Sequence, residues 1–398
     1  MSSMCGIVDF ENKRTDFATL RAMGHSMILR GQDQSGAYLH GGIGFFHNRR
    51  VNGEEEETRE PLTETRNGKN YTVMFDGELA HSRDRDGYFH LQSFGSAAEA
   101  VLYAYLSRGL DFAPYVSGAF SFAVCDEYRG EVILARDAFG RKPLYYSYSC
   151  GTLTFASEIK GMLRYLKGEA RVNRGALQRY LLSSFEEDAS VSLYPDITEL
   201  PPGHCAVFSR IGVQVFPLQL PSVTHSFLGS EDEEILTPKI SSEDLSDSVM
   251  EALLLAFDYP AFDVWMPGYW KLLESARQKQ KRTVRVFDGT RRYGEGYSYL
   301  REDRLAGCAG ISVEGVPLRE EKRREKAYKE IERALSDMVA GKDARLLSRL
   351  YGERALAAVR EEKDIHRKIR MLGILWQSVS WAERYRLMLV SEKEERAV

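Results

Sequence analysis

Apolar residues in the first half of the chain follow two rhythms. Phe17, Leu20, Met23 and Met27 recur at helical spacing, ahead of the polar loop LRGQDQSG at 29–36. A second helical stretch runs from about Ser96 to Ser107 and is closed by Arg108-Gly109, a C-terminal stop. Around these helices lie short apolar runs: YTVMF, GAFSFAVCD, EVILARD, PLYYSY and TLTFAS. Tyr128-Arg129-Gly130 and Ser149-Cys150-Gly151 punctuate them as hairpin turns. The pattern predicts antiparallel sheets with helices on their outer faces.

From about Val207 to Pro238 the pattern weakens, and the acidic stretch SEDEEILTP reads as a surface loop or linker. SEDLSDSVMEALLLAF then offers a capping serine or aspartate before an apolar helical face. The last eighty or so residues are dense in Arg, Lys and Glu, with helical stripes through Tyr328, Ile331, Leu335 and Met338, and through Ile369, Leu372, Trp376 and Val379. Packed amphipathic helices with solvated charged faces account for this composition, ahead of a basic surface for a partner. There is no internal repeat and no low-complexity tract.

Composition narrows the class. The chain has 398 residues, 43% hydrophobic and 28% charged, with a net charge of −4. Those values suit a globular protein of two domains and give no reason to expect nucleic acid or a membrane surface as partner. Five cysteines, at 5, 125, 150, 205 and 308, lack zinc-like spacing, and no apolar run approaches a membrane span. Their odd number and the lack of a signal-peptide pattern lead us to expect reduced thiols in a soluble cytoplasmic protein.

Candidate chemistry begins at Met4-Cys5-Gly6-Ile7. A cysteine exposed by removal of the methionine before it carries a thiol and a free α-amine, a nucleophile and its general base in one residue. Met1-Ser2-Ser3 stand in front, and while they remain attached that nitrogen is an amide and cannot act as a base. The alternative is a small buried cysteine at the start of a strand.

Met4 to Ile7, LRGQDQSG, FDGE (75–78), GAFSFAVCD (118–126), RDAFGRKPLYY (136–146), FASEIK (155–160) and LPPGH (200–204) stand in this order along the chain. Together they resemble the glutamine-dependent asparagine synthetases over about residues 4 to 205. The resemblance implies an α+β fold, in which a class II glutamine amidotransferase domain of the N-terminal-nucleophile αββα sandwich type is followed by a reduced α/β-to-helical remnant of a synthetase domain. The boundaries it implies are 4–206 for the first domain, 207–240 for a linker and 241–398 for the remnant.

The resemblance implies thiolate attack by Cys5 on a glutamine side-chain amide, with Asp76 and Gly77 at the oxyanion position. Arg50 or its neighbour Arg49 would clamp the substrate carboxylate, a task suited to a planar guanidinium. Glu78 and Ala97 complete the implied substrate-binding set. Departures from the family pattern fall on these points. Asp76 stands where the family has an asparagine donor, and losing such a donor costs about 10²–10³ in turnover. Ala97 stands where an aspartate accepts the α-ammonium, and the loop reads Leu29-Arg30-Gly31-Gln32-Asp33 in place of His-Arg-Gly-Pro-Asp.

The back half departs further. The family's Ser-Gly-Gly-x-Asp-Ser phosphate loop is absent, with one short helical segment between Asp244 and Tyr259 in its place. FDYPAFD (257–263) and VRVFDGTRRYGEGYSYL (284–300) resemble later family segments, but Arg291-Arg292 replace an Asp-Glu pair. Magnesium requires oxygen ligands, so no cofactor is expected and ATP and magnesium binding is in doubt.

Three functional readings follow. The first is a degenerate family homologue, without the ATP-dependent ligase step and with lost or weak glutamine hydrolysis through Cys5, acting as a partner subunit of an intact synthetase or of a second copy. The second is an active amidohydrolase using Cys5 on glutamine or another small amide. The third, a glutamine-hydrolysing asparagine synthase, needs another chain to provide the ATP site.

Overall fold

A computed structural model describes residues 2–11, 15–51, 59–81, 94–138, 140–166, 170–182, 193–218, 235–236, 241–257, 260, 262, 266–279, 283–288, 312–317, 325–386 and 388–390. Arg291, Arg292, Cys308 and most of FDYPAFD lie outside these residues. The chain divides into two compact units, Met1–Tyr165 with Ile197–Ser230, and Leu166–Asp196 with Glu231–Val398. Residues 166–196, which the motifs run through as part of the first domain, thus cluster with the second unit.

The first unit is built on two six-stranded antiparallel sheets. Its strands are β1 (Ser2–Asp9), β2 (Gln34–His40), β3 (Ile43–Arg49), β4 (Leu62–Arg66), β5 (Lys69–His81), β6 (Ser117–Asp126), β7 (Glu131–Arg136), β8 (Tyr145–Ser149), β9 (Thr152–Ala156), β10 (Thr198–Glu199), β11 (His204–Ser209) and β12 (Gly212–Pro217). One sheet runs β10-β8-β9-β1-β3-β2 and the other β12-β11-β7-β6-β5-β4. The helices are α1 (Phe17–Ser26), α2 (Ala97–Arg108) and α3 (Ile159–Tyr165).

Alternation along the strands builds the layers, because successive side chains leave opposite faces. Met4, Val8, Phe45 and Phe155 of the first sheet meet Met74, Ala123, Leu134 and Phe208 of the second in one buried cluster. The other face of the second sheet carries Tyr71, Val73, Phe75, Phe120 and Phe122, which pack on Ala98, Val101, Leu102 and Tyr105 of α2. Each such aliphatic or aromatic side chain contributes about 1.5–3 kcal/mol on burial. On the outer face of the first sheet, α1 closes against Phe46, and a side chain at Gly24 would run into that ring. The αββα order is therefore a direct product of the two-residue period.

Local signals set the helix ends. Asp16 accepts the Ala18 and Thr19 N–H groups at the start of α1. Ser96 accepts the Glu99 N–H at 3.1 Å, and the Glu99 carboxylate returns to the Gly95 N–H at 2.7 Å, a capping box shifted by one residue. The expected linker from 207 needs correcting: residues up to 209 complete β11 and 212–217 form β12, so both belong to the second sheet. The apolar pattern fades there because β12 is an edge strand, with Val213 and Val215 exposed and Phe216 partly buried against the cluster under α2.

The second unit is mainly helical. Its longest helix, Ile365–Tyr385, is capped by Asp364 and buries Ile369, Leu372, Trp376 and Val379. The stripe through Tyr328, Ile331 and Leu335 lies on Glu325–Ala340. Trp381 Nε1 donates to Tyr194 Oη at 2.8 Å, tying residues 193–196 to that long helix. Ile235–Leu236, Thr283–Asp288 and Ser312–Pro317 form a three-stranded parallel sheet. Parallel pairing requires crossover connections and is the α/β component of this unit.

Candidate active site

Cys5 lies inside β1 rather than at its edge. It pairs with Phe46 of β3 on one side and Ala156 of β9 on the other. Ser2, Ser3 and Met4 extend the same strand, opposite Arg49, Asn48 and His47. The Cys5 nitrogen therefore belongs to a strand amide. Met4 faces the gap between the sheets, so Cys5 faces the helix layer, where its Sγ is 4.0 Å from the Leu20 carbonyl oxygen. The thiol is fully buried, and burial pushes its pKa well above the ordinary range. A buried protonated thiol is a poor nucleophile.

Asp76 shares the Met74 face of β5 and points into the gap between the sheets, where it is fully buried. Its Oδ2 is 2.9 Å from Nη2 of Arg30, which is itself buried in the turn after α1. Its Oδ1 accepts the Ser2 N–H at 3.1 Å, and Arg30 Nε donates to the Ser2 carbonyl at 2.9 Å. Burial opposes ionisation of Asp76, but Arg30, then Lys142 and the Ser2 N–H, hold its pKa below the usual carboxylate range. The carboxylate is thus ionised and matched by Arg30.

Gly77 keeps a backbone that only glycine tolerates. Its φ is +139°, and an added Cβ would run into the Ala119 carbonyl oxygen. Glu78, opposite Ala119, is exposed. Arg49 ends β3 opposite Ser2, and Arg50 follows it. Ala97 lies in the first turn of α2 and packs on the outer cluster of the second sheet. The structure therefore places Asp76 and Arg49 beside Ser2, with Gly77 next to Asp76 in β5 and Cys5 three residues further along β1 on the opposite face. The stretch from Ser2 to Met4 fills the path between Cys5 and Arg49.

Several residues here are not visible as site residues in the motifs. Asn48 Nδ2 donates to Ser3 Oγ at 3.0 Å and to the Gly24 carbonyl at 2.8 Å. Ser157 pairs with the Met4 backbone in both directions, Met4 N to Ser157 Oγ at 3.0 Å and Ser157 N to the Met4 carbonyl at 2.9 Å. His47 Nε2 lies 3.0 Å from the Phe75 carbonyl oxygen and 3.5 Å from Glu60 Oε2. Burial pushes the Glu60 pKa up, against the nearby His47. A signal for Arg30 was available: a charged Asp76 ending the apolar run YTVMF needs a buried cation.

The RDAFGRKP motif does structural work beside this site. Arg136 is fully buried and donates to the carbonyls of Lys142, Leu200 and Gly140 at 2.9, 2.6 and 2.7 Å. Asp137 accepts the Phe120 and Lys142 N–H groups, and its carbonyl accepts those of Gly140 and Gly203. The two motifs 136–146 and 200–204 are thereby one hydrogen-bonded knot. Among the described residues no group of three or more His, Cys, Asp or Glu side chains is arranged to hold a metal. No helix among them is long and apolar enough to cross a membrane.

A family model described as the glutamine amidotransferase domain matches residues 1–218. The chain belongs to that family. The matched segment ends one residue after β12, at the edge of the second sheet of this amidotransferase unit. Over 221 residues the chain is 30% identical to the glutamine-hydrolyzing asparagine synthetase 3 of Bacillus subtilis (strain 168), covering 54% of this chain and 36% of that protein. It is 27% identical over 218 residues to asparagine synthetase 2 of the same organism, covering 51% of this chain and 28% of that one. The match thus spans about a third of the length of these relatives. Among solved structures, the glutamine phosphoribosylpyrophosphate amidotransferase from B. subtilis aligns with 81% of this chain and 70% of its own, at 14% identity and a TM-score of 0.42.

Proposed function

We propose that this chain is a degenerate relative of the asparagine synthetases, with a silenced or weakened glutamine-hydrolysing unit and no ATP-dependent ligase step of its own. In this reading it acts as a partner subunit, of an intact synthetase or of a second copy. One observation carries the reading. Cys5 lies mid-strand, buried, with its nitrogen in a peptide bond and its thiol turned from the Asp76-Gly77 face. Such a residue has neither the free amine nor the exposed thiolate that nucleophilic amide hydrolysis requires. Asp76 paired with Arg30 supplies no oxyanion donor of its own, which further favours weak turnover.

A second reading keeps the hydrolase. Gly77 retains the positive-φ backbone beside the site, and a main-chain N–H can serve an oxyanion without Asp76. If residues 2–4 leave, Cys5 becomes reachable. The test is ammonia release from glutamine, together with labelling by an electrophilic glutamine analogue, with the start of the mature chain read by intact mass. Silence of the full chain, with or without removal of residues 1–4, supports the degenerate reading. Cys5-dependent ammonia release at rates typical of enzymes overturns it. Magnesium-dependent thermal stabilisation by ATP would overturn the absence of a ligase step.

A further inference from the structure

We propose that Arg30 and Asp76 form a clamp that reads the N–H and C=O of one residue of an extended peptide. The amide taken by this unit is then one carried on a peptide strand and not on a free amino acid. The proposal rests on the second reading above, the one that keeps the hydrolase, and narrows its substrate class.

The clamp is seen occupied by the chain itself. Ser2 gives its N–H to Asp76 Oδ1 at 3.1 Å and takes Arg30 Nε on its carbonyl at 2.9 Å. Arg30 Nη2 and Asp76 Oδ2 close the ring at 2.9 Å. Arg30 Nη1 also lies 3.7 Å from Glu158 Oε1, and the clamp presents one acceptor, Asp76 Oδ1, and one donor, Arg30 Nε, which match the N–H and C=O of a peptide unit.

The next two residues are read as well. Ser3 and Met4 continue in antiparallel register with Asn48 and His47 of β3, while Ser157 holds the other edge of Met4. The Ser3 hydroxyl is fully buried, accepting from Asn48 Nδ2 at 3.0 Å and donating to the Met27 carbonyl at 3.3 Å. That is a slot for a small hydroxyl side chain. Met4 enters the apolar cluster between the sheets, a slot for an unbranched apolar one. Backbone pairing combined with alternating side-chain slots is how proteins bind a peptide as an added strand.

An independent observation points to a polar ligand at the same place. Ser121 Oγ is fully buried and has no hydrogen-bond partner among the described residues. Ser121 lies opposite Asp76 in the β5–β6 register and shares its face, so it leaves a donor beside the clamp. Buried hydroxyls are rarely left unpaired. A free amino acid would engage the clamp through its ammonium and carboxylate, but it has no residue for the Ser3 or Met4 slot.

The test uses the full chain carrying Ser3→Arg. A guanidinium cannot enter the hydroxyl slot, so residues 2–4 leave the site while Cys5 stays paired between β3 and β9. Calorimetric titration then compares acetyl-Ser-Ser-Met-methylamide, N-acetyl-L-glutamine methylamide and L-glutamine. The acetylated peptide is expected to bind this variant at least tenfold tighter than the unchanged chain, whose site is filled. The blocked glutamine is expected to exceed L-glutamine at least tenfold, and Arg30→Met in the same background to weaken both blocked ligands at least tenfold. Should Ser3→Arg fail to fold, Ser2→Pro, which removes the N–H given to Asp76 and fixes φ at the first residue of β1, serves the same titrations.

Equal or tighter binding of L-glutamine, indifference to Arg30→Met, or no peptide binding by a cooperatively folded variant overturns the clamp. Ammonia release is followed in parallel. Blocked-ligand binding without ammonia keeps the clamp and removes the hydrolase. Cys5-dependent ammonia from L-glutamine with no preference for blocked ligands does the reverse.

Discussion

Arg30 Nη2 lies 2.9 Å from Asp76 Oδ2 and joins the turn after α1 to β5 of the opposite sheet. Both side chains are almost fully buried. Removing Arg30 leaves Asp76 buried with Lys142 and the Ser2 N–H as its remaining favourable partners, and breaking a buried pair in this way typically costs about 3–5 kcal/mol. Arg30→Met is therefore expected to lower the unfolding free energy by that order in urea titration at neutral pH. Adding Asp76→Asn should recover part of the loss. Additive effects of the two substitutions would mean that the pair is not coupled.

Two buried carboxylates should give opposite pH responses. Asp76 has a folded pKa below the unfolded value of about 3.9, so its contribution is present above that pH and fades as pH falls through the folded value. Glu60 has a raised folded pKa, so its contribution is complete below about 4.3 and is lost as pH rises through the raised value. Urea midpoints across the pH range should show a flatter acid limb in Asp76→Asn. Glu60→Gln should show less decline on the neutral side, provided the His47 contact is preserved.

Gly77→Ala combines a positive φ with a backbone clash, whereas Gly130, at φ +65°, has open space around an added Cβ. Strained backbone of this kind costs about 1–3 kcal/mol before any clash is counted. Gly77→Ala should thus destabilise by more than about 2 kcal/mol, and Gly130→Ala by about 1 kcal/mol. Thermal unfolding of the two variants side by side checks the order.

Arg136→Lys keeps the charge but not the geometry. Lysine cannot reach the carbonyls of Gly140, Lys142 and Leu200 together, and each buried group left unpaired costs about 1–3 kcal/mol. We expect a loss of at least ~2 kcal/mol in stability and faster limited proteolysis at the segments 140–142 and 200–204.

Thiol alkylation should follow burial. Cys150 is exposed, whereas Cys5, Cys125 and Cys205 are buried, each with its pKa raised by desolvation. Iodoacetamide on the native chain at about pH 8 should modify Cys150 and spare those three until unfolding. Native labelling of Cys5, located by peptide mass, would contradict the strand position described for it.

Much of the first unit was legible in the order of residues. The spacing of Phe17, Leu20 and Met23 locates α1, and strand alternation through YTVMF and GAFSFAVCD assigns the two faces of the second sheet. These are local properties, because helix and strand periods act on neighbours in sequence. The motifs also named Cys5, Asp76, Gly77, Arg49, Arg50, Glu78 and Ala97, and of these Asp76 and Arg49 lie beside Ser2. β12 escaped because at the sheet edge its Val213 and Val215 stay exposed while Phe216 packs inward, which leaves no regular alternation to read. The membership of 166–196 in the second unit escaped because it depends on partners such as Tyr194 with Trp381, 187 residues apart.

By itself, the sequence determined the sheets, the helices and which residue types stand at the site. Only the tertiary structure decided what those residues can do. Whether Asp76 is a bare charge depends on Arg30, 46 positions away, and whether Cys5 is a nucleophile depends on the strand pairing that buries it. Charge state and reactivity are set by the dielectric and by neighbours in space, and those are properties of packing, not of order along the chain.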